Sequence, residues 1–279
     1  MLRAVDEELR FKIWVANTRD LVEHARRIHN LNNVKTINLG KALIATTLMS
    51  ARIKSEKEKI SIRIFSPKDI GSIVTVGKLN TLKGYVIDLD DYKASERGSE
   101  SYLSFIEDNG YKEPYVGTVS LQNADISDAL GCYLNSSEQT NSFVYLDVRL
   151  DEEGGCKYAG GMVVQRIPDE SNDSEDFDMI NRINMQAVKK LIDKNVVMED
   201  LLAEVFTDCK IKKLTKNVVA YKCDCTRDGI LAKVLTIGYT QITQMLEQDC
   251  EIEASCPFCT NLYKYDKKDF EEIFKKSKE

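Results

Sequence analysis

Two close cysteine pairs near the end of the chain, Cys223-Asp-Cys225 and Cys256-Pro-Phe-Cys259, restrict what this chain can fold into more than any other feature. They are separated by 30 residues. A short turn can point two sulfurs at a common centre, and two such turns brought together close a four-sulfur site. Zinc takes four thiolates in a tetrahedron, each sulfur about 2.3 Å from the metal. Pro257 suits the second turn because its ring pre-sets φ. A C-x-x-C half is common; C-x-C opposite C-x-x-C is the rarer and more specific pattern. Three readings stay open on these residues alone: a zinc site that only holds a small domain together, the same site used as a switch, or thiols that form two disulfides or hold no ligand.

Composition narrows the setting. A chain of 279 residues is long enough for one large domain with a real core plus a smaller one. With 43% hydrophobic residues it has an ordinary globular composition. No run approaches the roughly 18 apolar residues that a membrane helix needs. Met1 to Val15 carries Asp6, Glu7 and Glu8 and no apolar stretch ahead of a cleavage site, so no signal peptide is expected. The expected location is the cytoplasm, where thiols stay reduced, and eight cysteines there favour metal over disulfides. A net charge of −6 disfavours a nucleic-acid partner. Residues 223–279 sharpen that point, with eight Lys or Arg against eleven Asp or Glu.

Taken in order, residues 5–16 read as one half-buried strand, with Phe11, Ile13 and Val15 alternating with Lys12 and Trp14. Thr18 is placed to cap a helix carrying Asp20 in its first turn. His24 and His29 lie five apart and do not share a helical face as a ligand pair would. Thr36 to Ile53 reads as a long buried helix. Ile60, Ile62 and Ile64 alternate in a strand that Pro67 ends, and Ile73–Val76 and Lys83–Leu89 add strands with Gly77 and Gly84 at bulges or turns. After a polar loop at Lys93–Glu100 come a strand at Tyr115–Gln122, a helix at Asp125–Asn135, and strands at Phe143–Leu150 and Tyr158–Ile167. Local hairpins mixed with helices point to an α+β fold. No G-x-G-x-x-G, P-loop, Ser-His-Asp or Cys-His arrangement stands out, so no enzyme is expected.

A composition break follows. Asp169 to Asp178 holds six acids and no Lys or Arg, then Met179–Lys194 and Glu199–Phe206 read as helices, the first with Ile180, Ile183, Ala187 and Leu191 on one face. Lys210 to Lys222 carries five lysines and no acid. It reads as solvated surface or as a loosely attached segment. Helices at Thr226–Leu235 and Thr240–Leu246, a hairpin of Glu251–Cys256 with Leu262–Tyr265, and a helix at Asp269–Lys275 close the chain. The expected layout is a mixed core domain at 1–168, a helical linker at 169–222 and a small zinc-binding domain at 223–279.

Over nearly its whole length the chain resembles the 33 kDa chaperonin family, the redox-regulated heat-shock holdases. The resemblance rests on Cys223-Asp-Cys225 with Cys256-Pro-Phe-Cys259-Thr-Asn-Leu-Tyr263, on Ser137-Glu-Gln139, on Gly160-Gly-Met-Val-Val-Gln165-Arg-Ile-Pro168, and on Leu39-Gly-Lys-Ala-Leu-Ile-Ala-Thr-Thr-Leu48. It implies an ATP-independent chaperone of the cytoplasm that binds unfolded client proteins. It also implies one Zn2+ per chain on Cys223, Cys225, Cys256 and Cys259 in a reduced, inactive form. Oxidation then forms the disulfides Cys223–Cys225 and Cys256–Cys259, releases zinc, unfolds the linker and gives an active homodimer. Cys132, Cys156, Cys209 and Cys250 stand outside that pattern, and Cys250 lies near enough to Cys256 in sequence for disulfide shuffling. Two other functions compete. A thiol–disulfide oxidoreductase at Cys256–Cys259 would have no use for the C-x-C pair and lacks a thioredoxin-like context, and a nucleic-acid-binding zinc protein is opposed by the acidic balance.

Overall fold

The computed structural model describes residues 1–6, 11–67, 69–87, 100–121, 125–167, 202, 204–206 and 210–270. The fold is α+β. Its first unit, Met1–Tyr221, is built from two sheets and three described helices, and its second is Lys222–Glu279. The first sheet holds β1 (Leu2–Asp6), β2 (Phe11–Asn17), β8 (Ser142–Leu150), β9 (Cys156–Arg166) and β10 (Ile211–Lys216) in the order β10-β1-β2-β9-β8. The second holds β3 (Lys59–Ser66), β4 (Gly71–Lys78), β5 (Thr81–Ile87), β6 (Tyr102–Asp108), β7 (Tyr115–Ser120) and β11 (Ala220–Tyr221) in the order β11-β5-β4-β3-β6-β7. No described helix is long and apolar enough to cross a membrane.

One helix organises this unit. α2 (Asn33–Ser50) starts at Asn32, whose side chain accepts a hydrogen bond from the Lys35 N–H, and twelve of its eighteen residues are buried. A helix buried on most of its circumference must be covered from more than one side. The second sheet brings Ile60, Ile62, Ile64, Leu103 and Phe105 into its core, and the first brings Trp14, Ala159 and Val163. The approach is close enough to exclude side chains. A Cβ on Gly161 would lie 2.5 Å from the Tyr145 carbonyl oxygen and 2.8 Å from Ile44 of α2, and one on Gly84 would lie 3.1 Å from Leu39 of α2. Gly77 and Gly84 therefore sit in regular ladder positions against α2, not at the bulges or turns expected of them.

The opposite face of the first sheet carries a second apolar layer. Leu2, Ala4, Phe11, Ile13, Val15, Met162 and Val164 pack with Leu202 and Phe206, and the Phe11 and Phe206 rings stack at 5.6 Å. α1 (Arg19–Ile28) and α3 (Ile126–Ser136) complete the unit. Glu23 of α1 takes a two-point ion pair from Arg26 at 2.8 Å and a hydrogen bond from the Cys156 N–H at 2.9 Å, which ties the helix to the start of β9. The Arg26 guanidinium holds the Glu23 carboxyl well below the usual carboxylate range, against the opposing pull of burial.

Several expectations change. The single strand expected at 5–16 is two antiparallel strands, because the chain reverses between Asp6 and Phe11. Thr18 precedes α1 but makes no capping bond; its hydroxyl donates to the Ala159 carbonyl instead. Strand β6 was not foreseen, since Leu103, Ser104 and Phe105 are all buried and leave no alternation to read. The Lys210–Lys222 run holds β10, antiparallel to β1, and β11, parallel to β5. His24 and His29 both reach Tyr221, one ring against ring at 5.1 Å and the other through Nε2 at 3.2 Å from the hydroxyl. His29 follows the last helical turn, so helical spacing does not bind it. The segments resembling family signatures act in packing: Glu138 pairs with Arg52 at 2.7 Å, and the Gln165 side chain donates to Ser142 at 3.2 Å. The helix expected at Met179–Lys194, most of that at Glu199–Phe206, and the Lys93–Ser99 loop lie outside the described residues, as does the end of the helix expected at Asp269–Lys275.

Two measurements test this packing. Gly161→Ala should lower unfolding stability by about 2–3 kcal/mol, because carbonyl and helix must both give way. Gly131→Ala, in α3 with no atom near its Cβ position, should be neutral or stabilise by up to about 1 kcal/mol. Equal melting shifts for the two variants would contradict the close approach. The Glu23 contribution is present above its unfolded pKa of about 4.3 and is lost as pH falls further, since the folded pKa is depressed. Glu23→Gln should therefore flatten the acid limb of the stability–pH curve.

Candidate metal centre

Two segments of the second unit supply four thiols. Strands β12 (Glu251–Ser255) and β13 (Leu262–Asp266) pair antiparallel, with Ser255 opposite Leu262 as the last pair before the tip. Cys256 and Cys259 sit in that tip. The Thr260 N–H donates to the Cys256 carbonyl at 2.8 Å and the Cys256 N–H donates to Asn261 at 2.9 Å, so the loop folds back on itself around the two sulfurs. Thr260 takes the left-handed conformation, φ 59°, that closes the turn. Cys223 and Cys225 lead into α4 (Arg227–Leu235), where Thr226 caps the helix by accepting from the Gly229 N–H at 3.1 Å. α5 (Tyr239–Asp249) lies between α4 and the hairpin in sequence.

Arg227 fastens the two segments together. Its guanidinium donates to the Lys264 carbonyl and to Asp269, both at 2.8 Å, and stacks over the Tyr265 ring at 4.5 Å. The Tyr265 hydroxyl returns a bond to the Arg227 carbonyl at 2.7 Å. Beneath lies a small core of Ile230, Val234, Ile242, Ile252, Tyr265 and Phe270, which also includes Cys256, only 1% exposed. Arg227 has no signal in the sequence, and Tyr263 stands there only as the end of the segment that resembles the family. An arginine two residues past a C-x-C has no spacing that announces its partner 42 residues on.

The four sulfurs all lie within 4.8 Å of one another. Cys223 and Cys256 approach to 3.7 Å, and Cys225 and Cys259 to 3.4 Å. A tetrahedron of sulfurs about 2.3 Å from one ion has edges of about 3.8 Å. The cluster thus has the donor type, number and spread to hold a soft divalent metal ion. Electrostatics favour stepwise ionisation. The Tyr263 hydroxyl, 3.2 Å from Cys225, holds that thiol down to about 7. Burial pushes Cys259 up to about 12 and also raises Cys223.

The other described cysteines are elsewhere. Cys132 is exposed on α3, and Cys156 is buried at the start of β9, where burial raises its thiol to about 11. Cys250 ends α5 in a left-handed cap and is exposed. The extended β12 lies between it and Cys256, a span of about 20 Å at the rise of a strand. Shuffling between them therefore requires the hairpin to unpair. Cys209 lies outside the described residues.

A family model described as Hsp33 protein matches residues 1–266. The chain belongs to the Hsp33 protein family. Curated 33 kDa chaperonins are similar to it over most of their length. That of Clostridioides difficile is 31% identical over 286 residues, covering 99% of this chain and 98% of its own. That of Desulforamulus reducens is 31% identical over 289 residues, covering 100% and 98%. The crystal structure of the 33 kDa chaperonin (heat shock protein 33 homolog) of Thermotoga maritima shares the fold, with a TM-score of 0.78 at 24% identity over 99% of this chain and 97% of that one. Membership in this family makes the protein a chaperone.

The Arg227 clamp is testable apart from the sulfurs. Arg227→Ala should weaken the affinity of the four thiols for a soft divalent metal ion by about 10–100-fold, as loss of a positioning residue does, and Arg227→Lys should recover only part. Chelator competition measures both. Unchanged affinity in Arg227→Ala would show that the sulfurs hold their places without the clamp.

Proposed function

We propose that this chain is a redox-regulated holdase that needs no ATP, kept inactive while Cys223, Cys225, Cys256 and Cys259 are reduced and hold one zinc ion. The observation that carries this reading is the convergence of four free thiols from two separate segments onto one point. Zinc bound there would supply a cross-link between the C-x-C turn and the hairpin tip and keep the sulfurs as thiolates. The proposed layout is a core at 1–168, a linker at 169–222 and a switch domain at 223–279, in a reducing compartment such as the cytoplasm.

Thiolates are the form that peroxides attack. Each pair of thiols gives up two electrons and two protons as its S–S bond forms, and one hydrogen peroxide takes them to become two waters. Four thiols thus consume two peroxides. Pairing within each turn, Cys223–Cys225 and Cys256–Cys259, closes tiny loops that stay in reach however the rest moves. Such loops do not join the two segments, so the small core beneath them loses its cross-link.

The linker's last strands give this loss a route to the core. β10 is mostly exposed along its length, at Leu214 and at its lysines, so little burial holds it to β1. Release of β10 and β11 bares the edges of β1 and β5, each a row of unpaired backbone groups. Release of Leu202 and Phe206 bares the apolar face at Phe11, Ile13 and Met162. Those surfaces suit unfolded client proteins and a second copy of the chain, which makes the active form a homodimer. No nucleic acid, membrane or catalytic step enters this reading.

Light scattering of an unfolded client, with the full chain reduced or peroxide-treated, tests it. Oxidised protein should suppress aggregation and reduced protein should not, with zinc released and disulfides mapped within each pair by mass spectrometry. Equal suppression by both forms would leave the cluster a structural site only.

A further inference from the structure

The first sheet carries a cavity of about 960 Å³ that the chaperone reading does not use. It opens on the face away from Leu202 and Phe206, where strand alternation puts Arg3 and Val5 of β1 and Lys12 and Trp14 of β2 on one side. Val5 stands opposite Lys12 on β2 and opposite Lys212 on β10. At about 4.8 Å per strand, the two lysines flank Val5 about 10 Å apart, and Arg3 lies about 7 Å along β1 from that row. Arg52, just past the end of α2, completes the lining. Among the described residues four cations face this space and Asp6 is the one acid.

Two features separate this cluster from an ordinary solvated face. Arg3, Lys12 and Lys212 form no ion pair with a described residue, whereas Arg52 is held by Glu138 at 2.7 Å and Glu107 at 3.3 Å. The Nε groups of Arg3 and Arg52 are also buried donors with no acceptor. Buried N–H groups are paired in the great majority of cases, so each is an unfilled half of a hydrogen bond. Like charges gathered in a partly enclosed space raise one another's energy, and an anion with several oxygens relieves both conditions at once.

We infer that this cavity binds a small polyanion of the phosphate class, with Arg3 and Arg52 donating to its oxygens and Lys12 and Lys212 setting its charge and reach. The separation of the lysines suits a chain of two or three phosphates more than a single one. Inorganic triphosphate, pyrophosphate and phosphate are the probes.

Trp14 lines the cavity and is the one tryptophan in the sequence, so its fluorescence reads the site directly. Titration of the full-length reduced chain with triphosphate should give a saturable change, with one site per chain by calorimetry and tighter binding than for phosphate. The Lys12→Gln, Lys212→Gln double variant should bind about tenfold or more weakly, as loss of charged hydrogen-bond partners implies, with an unchanged melt. Should the double variant not fold, each single variant is read in its place. Lys112→Gln, a control at an exposed lysine that does not line the cavity, should bind as the parent does. The absence of saturable binding at millimolar triphosphate in low salt would overturn the assignment, as would equal losses in the control and cavity variants.

Discussion

A helix buried on most sides has to be met closely by whatever covers it, and α2 is met by backbone. Gly84 and Gly161 leave space where a Cβ would strike Leu39 or Ile44. Small residues on the helix itself, Gly40, Ala42, Ala45 and Thr46, answer from the other side. Interiors are packed as densely as organic crystals, so one added methyl has nowhere to go. Both sheets depend on this contact. The first sheet hangs from it by Trp14, Ala159 and Val163, the second by its isoleucine row on β3. The Arg52 pair with Glu138 holds the end of the helix to the loop after α3, and the same guanidinium lies 5.5 Å over the Phe105 ring.

Among its described residues the second unit has no such helix. Its core is a handful of side chains, and one of them is Cys256. A domain of this size gains little from burial alone, so bonds between its segments carry a large share of its stability. Arg227 and the four sulfurs bridge the same two segments, α4 with its leading turn and the β12–β13 hairpin. This places chemistry and stability in the same atoms. Whatever happens at the sulfurs is felt by the core directly beneath them, which is the property a switch needs.

Much of this was legible in the sequence. The Ile60, Ile62, Ile64 alternation, the helix at Asp125, the hairpin around Cys256 and Cys259, and the α+β class follow from periods and turn residues that neighbours in sequence set. The four cysteines were legible for the same reason, since two sulfurs on one short turn are already near each other. Helix α2 announced itself by length and by small apolar residues all round. The Thr18 cap misled because a hydroxyl has several possible acceptors, and the Ala159 carbonyl lies on a strand far along the chain.

What the sequence by itself determined is therefore local: which segments are strands or helices, where the turns fall, and which thiols start out paired. What only the tertiary structure decided is everything that needs a partner distant in sequence. Lys210 to Lys222 reads as solvated charge, yet it holds β10 and β11 because β1 and β5 present open edges to it. Gly77 and Gly84 read as turns, yet they serve a helix that ends 27 residues or more before them in the chain. Arg227 gains its role from a carbonyl and a carboxylate across the hairpin. Lys12 and Lys212 become neighbours only when β1 comes between their strands. Spacing along a chain fixes what adjacent residues can do; the entropy of closing long loops is repaid only by the whole packed structure, and it is that structure which chooses the distant partners.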